Sequence, residues 1–364
     1  MVLIKDLSSD AAINVARRAT LEKIAHDAGF GRARFSELYR MLYVNGPANG
    51  TMLNLPFDQL VEHGVGHMFA WERAADPRAV IELANRGNFS ALALSIGQAE
   101  KYQNLIRPDM PLIVKVDGHF LVGKEVPYER HSNMATVERA LRTGANAIGF
   151  TCYFGSKETE RDVERCAEIT DLAHQHGKPV VAWMYARGPL AEKMGEDSLY
   201  WCAQAVSAGE SLGVDIVKQK VCAAAKNRSE YARALSETVE DGKKLKGYLY
   251  SKAPDVNKLL ELEPEAQEAW TQELQVKRLA YQNSVAPASF QINSGGLKGA
   301  AEGVMKTLKA VMDAGMEGQI VGRNLWGRPI EEALELNKQM IELMRSPAYK
   351  RELTEPRFTG HYQG

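Results

Sequence analysis

Residues 147–185 read AIGFTCYFGSKETERDVERCAEITDLAHQHGKPVVAWMY, and the reading of this stretch decides the architecture of the chain. It opens on an apolar run, Ala147 to Tyr153, of strand length and strand composition. Val163, Cys166, Ala167, Thr170 and Ala173 then recur at helical spacing, until Gly177, Lys178 and Pro179 end the helix and admit a second apolar run, Pro179 to Tyr185. Strand, helix, strand in that order is the unit of a parallel sheet.

The same rhythm extends in both directions. Further strands are expected at Leu53 to Asp58, Ala91 to Ser95, Leu112 to Asp117, Val214 to Lys220, Ser289 to Ser294 and Gln319 to Arg323. Between the first two, Asp76 caps a helix with Pro77 in its first turn and Val80, Ile81, Leu83 and Ala84 as apolar surface, and Gly87 stops it. Ala333, Leu336, Met340 and Leu343 mark the last helix. Eight such strands suggest an α/β fold closed as a (β/α)8 TIM barrel. The 364 residues then form one domain, 1–364, with a helical extension over 1–50 and a helical insertion over 221–288 between strands six and seven. The insertion is charge-rich, carrying KKLKG and LELEPEAQEAW, and reads either as a lid or interface or as a solvated decoration.

Composition narrows the function. A net charge of -1 gives no excess of positive charge for nucleic-acid phosphates or anionic lipid, so no nucleic acid and no membrane partner is expected. The N-terminal MVLIKDLSSDAAINVARR lacks a long apolar core, and no run reaches the roughly 18 apolar residues of a membrane span, so a cytoplasmic protein is expected. Cys152, Cys166, Cys202 and Cys222 have neither disulfide nor metal spacing and are expected as buried thiols.

The sixth strand, VDIVKQK, sets Lys218 and Lys220 on one side, because side chains alternate along a strand. If that side is the barrel interior, desolvation and a neighbouring cation raise the share of free amine, the form that attacks a ketone. The plainer reading, a lysine reaching solvent from the strand end, stands beside it. Trp183 and Tyr185 share a face near the end of the fifth strand, where barrel active sites assemble, although such aromatic pairs also serve as packing. Asp58 at the first strand end is either a ligand for a substrate hydroxyl or a turn cap, and Lys115 in LIVKVDG is a second basic group or the partner of a carboxylate.

INSGG follows the seventh strand and VGRN the eighth, the position where many barrels bind phosphate. Ser294, Gly295, Gly296, Gly322 and Arg323 are therefore expected to hold a substrate phosphate, the glycines by letting backbone amides approach it. His63 and His67 with Glu62, and His119 farther on, raise metal chemistry, but Gly64 and Gly66 argue against a ligand-bearing helix there and no metal is expected.

Taken in order, LPFDQLVEHG, GFTCYFGS, AWMYARG, DIVKQK, NSGG and VGRNLW, from about Leu53 to Trp326, resemble the archaeal-type class I fructose-bisphosphate aldolases, grouped with the autoinducer-processing thiolase. The resemblance implies a metal-independent, cofactor-free lyase that cleaves fructose 1,6-bisphosphate and forms a homo-oligomer. It implies Lys218 as the Schiff-base lysine, chosen over Lys220, with Lys220 as an electrostatic neighbour. Tyr185 would be the general acid/base, Asp58 and Trp183 part of the wall, and the glycine segments the phosphate site. Many relatives carry aspartate-histidine-glycine where this chain has Asp58, Gln59 and Leu60. A Schiff-base transferase, or more distantly a flavin-dependent barrel oxidoreductase, is the alternative.

Overall fold

The computed structural model describes residues 28–58, 62–63, 65–119, 132–188, 199–222, 282–296 and 298–351, with shorter pieces at 25, 191, 196–197, 238–240, 243–245, 275–276 and 278–280. Eight parallel strands close into a barrel in chain order. They are β1 (Met52–Phe57), β2 (Ala91–Ser95), β3 (Leu112–Lys115), β4 (Ala147–Phe154), β5 (Val180–Ala186), β6 (Ile216–Gln219), β7 (Phe290–Ser294) and β8 (Gly318–Ile320). Helices such as Pro77–Arg86, Thr159–Gln175 and Ile330–Met344 surround them.

Strand parity explains why both faces are apolar. Met52, Ala93, Ile113, Val181, Ile216 and Ile292 face one another inside the barrel. Their alternates, among them Leu53, Leu92, Val114, Ile148, Ala182 and Val217, pack outward with helix residues such as Val80, Ile169 and Leu336. A strand buried on two sides reads as a continuous apolar run, which is the pattern of residues 147–153.

One mouth is stoppered by the helix Arg32–Tyr39 and the turn after it, whose Leu38, Met41 and Leu42 are buried in the interior cluster. Arg34 binds Asp215, just before β6, at 3.1 Å; Glu37 binds Lys178, before β5, at 2.6 Å and Asn146, before β4, at 2.8 Å. Three anchors at strand beginnings place the stopper on the N-terminal rim, so ligand space lies at the opposite, C-terminal mouth.

The expected strands are all present, with differences at their ends. The third breaks after Lys115, and Asp117–Gly118 pairs instead with Ser132–Asn133, antiparallel. The buried Asp117 carboxylate accepts the Thr151 N–H at 2.8 Å and binds Arg165 at 2.9 Å, which fixes the chain off the barrel line. The eighth ends at Ile320, because Arg323 opens the short helix Arg323–Trp326. Residues 1–24 of the extension and most of the 221–288 insertion lie outside the described residues. The described part of the insertion includes an antiparallel ribbon, Thr238–Glu240 with Lys243–Leu245, in a stretch expected to be helical. Its signal was the Asp241-Gly242 dipeptide behind a Thr-Val pair, a hairpin signature inside otherwise helix-forming composition.

Gly318 makes the closure of the barrel possible. It pairs with Met52 across the β1–β8 seam at φ 148°, and a Cβ there would lie 2.0 Å from the Met52 carbonyl oxygen. Backbone cannot yield as a side chain does. Gly318→Ala should therefore destabilise the protein by at least about 2 kcal/mol in urea denaturation, from strain and overpacking together; a loss below about half of that would show the seam to be compliant.

Candidate active site

The parity that lines the interior with apolar residues also places Lys115, Trp183, Tyr185, Lys218 and Ser294 inside, near the C-terminal ends of β3, β5, β6 and β7. Trp183 is the shelf on which the site is built. Its ring is buried, and Gly149 on the adjacent strand leaves room for it: a Cβ there would be 3.0 Å from the ring and 3.3 Å from Ile113. The ammonium groups of two lysines lie against this indole, Lys218 at 4.7 Å and Lys115 at 5.3 Å from the ring centroid.

The two lysines differ in their carboxylates. Lys115, fully buried, donates to Glu62 Oε1 in a short contact and lies 3.3 Å from Asp58 Oδ2. Desolvation opposes its charge, but Glu62, Asp58 and Asp117 together overcome it and hold Lys115 protonated well above the ordinary lysine range. Glu62 also accepts from Thr151 Oγ1 at 3.3 Å. For Lys218, desolvation prevails: burial, aided by the Lys115 and Arg323 charges, lowers its amine to about 8 against the pull of Asp58 and Glu62. At pH 7 roughly a tenth of such an amine is free, compared with on the order of 0.03% for an exposed lysine.

Above the lysines opens a cavity of about 480 Å³, lined by Asp58, Glu62, His63, Tyr153, Trp183, Tyr185 and Lys218 on the reacting side and by Ser294 to Gly296, Gly322 and Arg323 on another. Tyr185 has its ring centroid 5.9 Å from the Lys218 amine. Burial pushes its phenol up to about 12, despite a hydrogen bond with Ser294 and the nearby Arg187 and Lys220 charges, so at neutral pH it carries its proton. Asp58 has one oxygen toward Lys115 and its Oδ1 without a hydrogen-bond partner among the described residues. At the glycine end, Gly296 has φ +67° with open space around it, and Arg323 is held below the usual arginine range by desolvation. Asn324 fixes this corner, donating to the Gly295 carbonyl at 2.5 Å and accepting from the Gly299 N–H at 2.8 Å.

The structure thus brings Asp58, Trp183, Tyr185, Lys218, Lys220, Ser294, Gly295, Gly296, Gly322 and Arg323 to one cavity. Lys115, read from the sequence as a second basic group or as the partner of a carboxylate, is the latter: it is buried in salt bridges with Glu62 and Asp58 and is not among the residues that line the cavity. Lys220 has a different setting from the expected neighbour of Lys218, since its ammonium binds Glu196 at 2.9 Å and Asp197. Glu62, weighed beforehand with the histidines for metal chemistry, is the counter-ion of Lys115. Desolvation lowers His63 to about 4 in spite of Glu62 beside it, with Arg323 and Lys218 adding to the depression, so it is neutral at pH 7. His119 is buried edge-on to Tyr153, 5.4 Å between centroids. The His67 side chain, Gln59 and Leu60 lie outside the described residues. Tyr153, Arg187, Glu196 and Asp197 were not foreseen; for the first two, the positions at the ends of β4 and β5 were the available signal. All four cysteines are buried free thiols.

A closed barrel with an amine-bearing lysine on β6 and a protonated tyrosine on β5 defines a carbonyl-condensing or carbonyl-cleaving enzyme. Residues 52–328 match the DeoC/LacD family aldolase model, and the chain belongs to that family of lyases. It is 27% identical over 281 residues to the class 1 fructose-bisphosphate aldolase of Halobacterium salinarum, an overlap of 77% of this chain and 86% of that one. To the enzyme of the same name from Thermoproteus tenax it is 26% identical over 296 residues, 81% and 90% of the two chains. Among solved structures, an archaeal fructose 1,6-bisphosphate aldolase superposes with a TM-score of 0.63 at 25% identity, covering 85% of this chain and 99% of that one. Another solved structure of an archaeal fructose 1,6-bisphosphate aldolase, with the catalytic lysine covalently bound to the carbinolamine intermediate of the substrate, has the same fold, with a TM-score of 0.63 at 24% identity, over 85% and 99% of the chains.

The two lysines should respond oppositely to removal of charge. Lys115 is favoured as a cation in the fold, so Lys115→Met leaves buried carboxylates uncompensated and should cost about 3–5 kcal/mol at pH 7. Lys218 has its folded value depressed from 10.5 to about 8, so the unfolded chain binds its proton more tightly and the penalty is complete below about 8 and gone above 10.5. Lys218→Met should thus gain up to about 3 kcal/mol at pH 7, shrinking toward zero near pH 10.5. Denaturation at both pH values checks this; losses of equal size for the two variants would contradict it.

Proposed function

We propose that this aldolase is a class I, Schiff-base fructose-bisphosphate aldolase, which reversibly cleaves fructose 1,6-bisphosphate into dihydroxyacetone phosphate and glyceraldehyde 3-phosphate. The observation that carries the reading is the contrast between the lysines: one pinned as a cation by carboxylates, the other stripped of them and poised to lose its proton beside a buried phenol. The names of the Halobacterium and Thermoproteus relatives support the choice of sugar.

The free amine of Lys218 attacks the C2 ketone and forms a carbinolamine. Tyr185, which carries its proton at neutral pH, protonates the departing hydroxyl, and water leaves to give the iminium. The resulting phenolate lies near the positive charges of the iminium and of Arg187, whose guanidinium carbon is 5.8 Å from the Tyr185 ring centroid. It takes the proton of the C4 hydroxyl. The C3–C4 bond breaks, its electron pair moves through the enamine system to nitrogen, and the aldehyde product departs. Protonation at C3 and hydrolysis of the iminium release the ketone product and restore Lys218.

Asp58 fits the task of orienting a substrate hydroxyl, since Oδ1 is buried at the cavity wall while Oδ2 faces Lys115. Backbone amides around Gly295, Gly296 and Gly322, with Arg323, form the cradle for a substrate phosphate. The nearly neutral charge and the reduced, buried thiols support action in the cytoplasm, and the family resemblance supports a homo-oligomer. Among the described residues, no helix is long and apolar enough to cross a membrane.

Borohydride added with dihydroxyacetone phosphate should leave a mass adduct on the Lys218 peptide and none in Lys218→Met, and cleavage should survive a chelator and need no coenzyme A. An adduct mapped to Lys220 or Lys115 would reject the assignment. Tyr185→Phe should still be trapped by borohydride but turn over on the order of 100-fold or more slowly, the contribution of a positioned acid/base; undiminished turnover would remove Tyr185 from the proton path.

A further inference from the structure

The cavity contains a charge arrangement of which the cleavage chemistry uses only the Arg187 charge beside Tyr185. Arg187, directly after β5, and Lys220, directly after β6, both line it, on strand ends other than those of β7 and β8 that carry the glycine cradle. Neither cation faces the cavity unopposed. A single atom, Glu196 Oε1, accepts from Arg187 Nη1 in a short contact and from Lys220 Nζ at 2.9 Å, and Asp197 Oδ1 takes a further short contact from the same ammonium. Glu196 and Asp197 are themselves cavity-lining residues, so the acids face the same space as the cations they bind.

The pairs are partly desolvated, with side-chain exposures of 20% for Arg187, 16% for Lys220, 26% for Glu196 and 49% for Asp197. Desolvation works against the charge of Glu196, yet the hydrogen bonds from Arg187 and Lys220 hold its carboxyl below the ordinary range. Two positive and two negative charges cancel. As it stands, this wall offers a phosphate no net attraction, although it holds the two residue types best suited to bind one.

We infer that Glu196 and Asp197 form an electrostatic latch that occupies a second phosphate subsite on Arg187 and Lys220, and that a doubly charged phosphoryl group must displace it to bind. The inference rests on the proposed bisphosphate substrate and specifies how its second phosphate is selected. A dianion offers more charge and three acceptor oxygens, so it competes with the two carboxylates where a hydroxyl or a monoanion does not. The latch raises the apparent dissociation constant of every ligand that uses the subsite, because the open state is only part of the population. Ligands that end short of it are spared that cost. Arg187 also stands over Tyr185, so exchange of its partner takes place beside the reacting end of the cavity.

The test is binding selectivity in the full-length protein. Hexitol 1,6-bisphosphate and hexitol 1-phosphate lack a ketone and cannot form an imine, so calorimetry with them reads the subsite apart from chemistry. Glu196→Gln keeps the shape and hydrogen-bonding reach of the side chain while removing its charge, and should tighten the bisphosphate at least fivefold relative to the monophosphate. Asp197→Asn should move the ratio the same way, and it carries the test if Glu196→Gln fails to fold. The ratio of kcat/KM for fructose 1,6-bisphosphate over fructose 1-phosphate should rise in parallel. A binding ratio that is unchanged, or that falls because the carboxylates were holding the cations in place, overturns the latch. If borohydride trapping on Lys218 persists in that case, the latch alone is lost and the aldolase reading stands. A shifted ratio without any cleavage of the bisphosphate would instead retain the latch and remove the assigned reaction.

Discussion

Lys115, held by Glu62 and Asp58 against the indole of Trp183, is the constraint on which the site depends. A charged lysine with no exposed surface survives only because carboxylates stand within contact distance. Those carboxylates are thereby engaged, and the cation they hold lies against the same indole ring that supports Lys218. Lys218 is consequently buried beside a positive neighbour with its nearest acids already committed. Burial and the Lys115 charge then depress its proton affinity to about 8, enough to supply free amine at neutral pH without exposing the nucleophile to bulk water.

The barrel makes this division of labour possible. Inward-facing residues near the strand beginnings are apolar and are stoppered by Leu38, Met41 and Leu42, so one end is devoted to stability. The same parity carried two residues farther along β3, β5 and β6 delivers Lys115, Trp183 and Lys218. Gly149 is part of that design, since the large indole in the interior requires a missing side chain on the neighbouring strand. The polar end is then finished by loops: the β7 and β8 ends give glycines and Arg323, and the segment after β5 brings Glu196 and Asp197.

Much of this was legible in the order of residues, and what was not has physical reasons. Alternation of apolar runs with helical spacing gave the barrel, and period-2 parity set Lys218 with Lys220, and Trp183 with Tyr185, on shared faces without deciding that those faces are interior. Parity could not say how deep Lys115 lies, because that depends on a partner 53 residues away, Glu62, whose neighbouring histidines suggested metal chemistry instead. Lys220 has the same parity as Lys218 and a different fate. Its carboxylates come from a loop more than twenty residues earlier, and no local pattern encodes that meeting. The ribbon at Thr238–Glu240 was hidden for the opposite reason: the Asp241-Gly242 dipeptide between its strands is a local sequence signal, but helix-forming charges around it dominate the composition.

The central claim, that the fold itself sets the proton affinity of Lys218, is open to direct titration. The rate at which trinitrobenzenesulfonate modifies Lys218, followed by peptide mapping across pH, reports the free-amine fraction without substrate or turnover. The account predicts a midpoint near 8. A midpoint near the ordinary lysine value of about 10.4 would show that burial and Lys115 leave the amine untouched, and would contradict it.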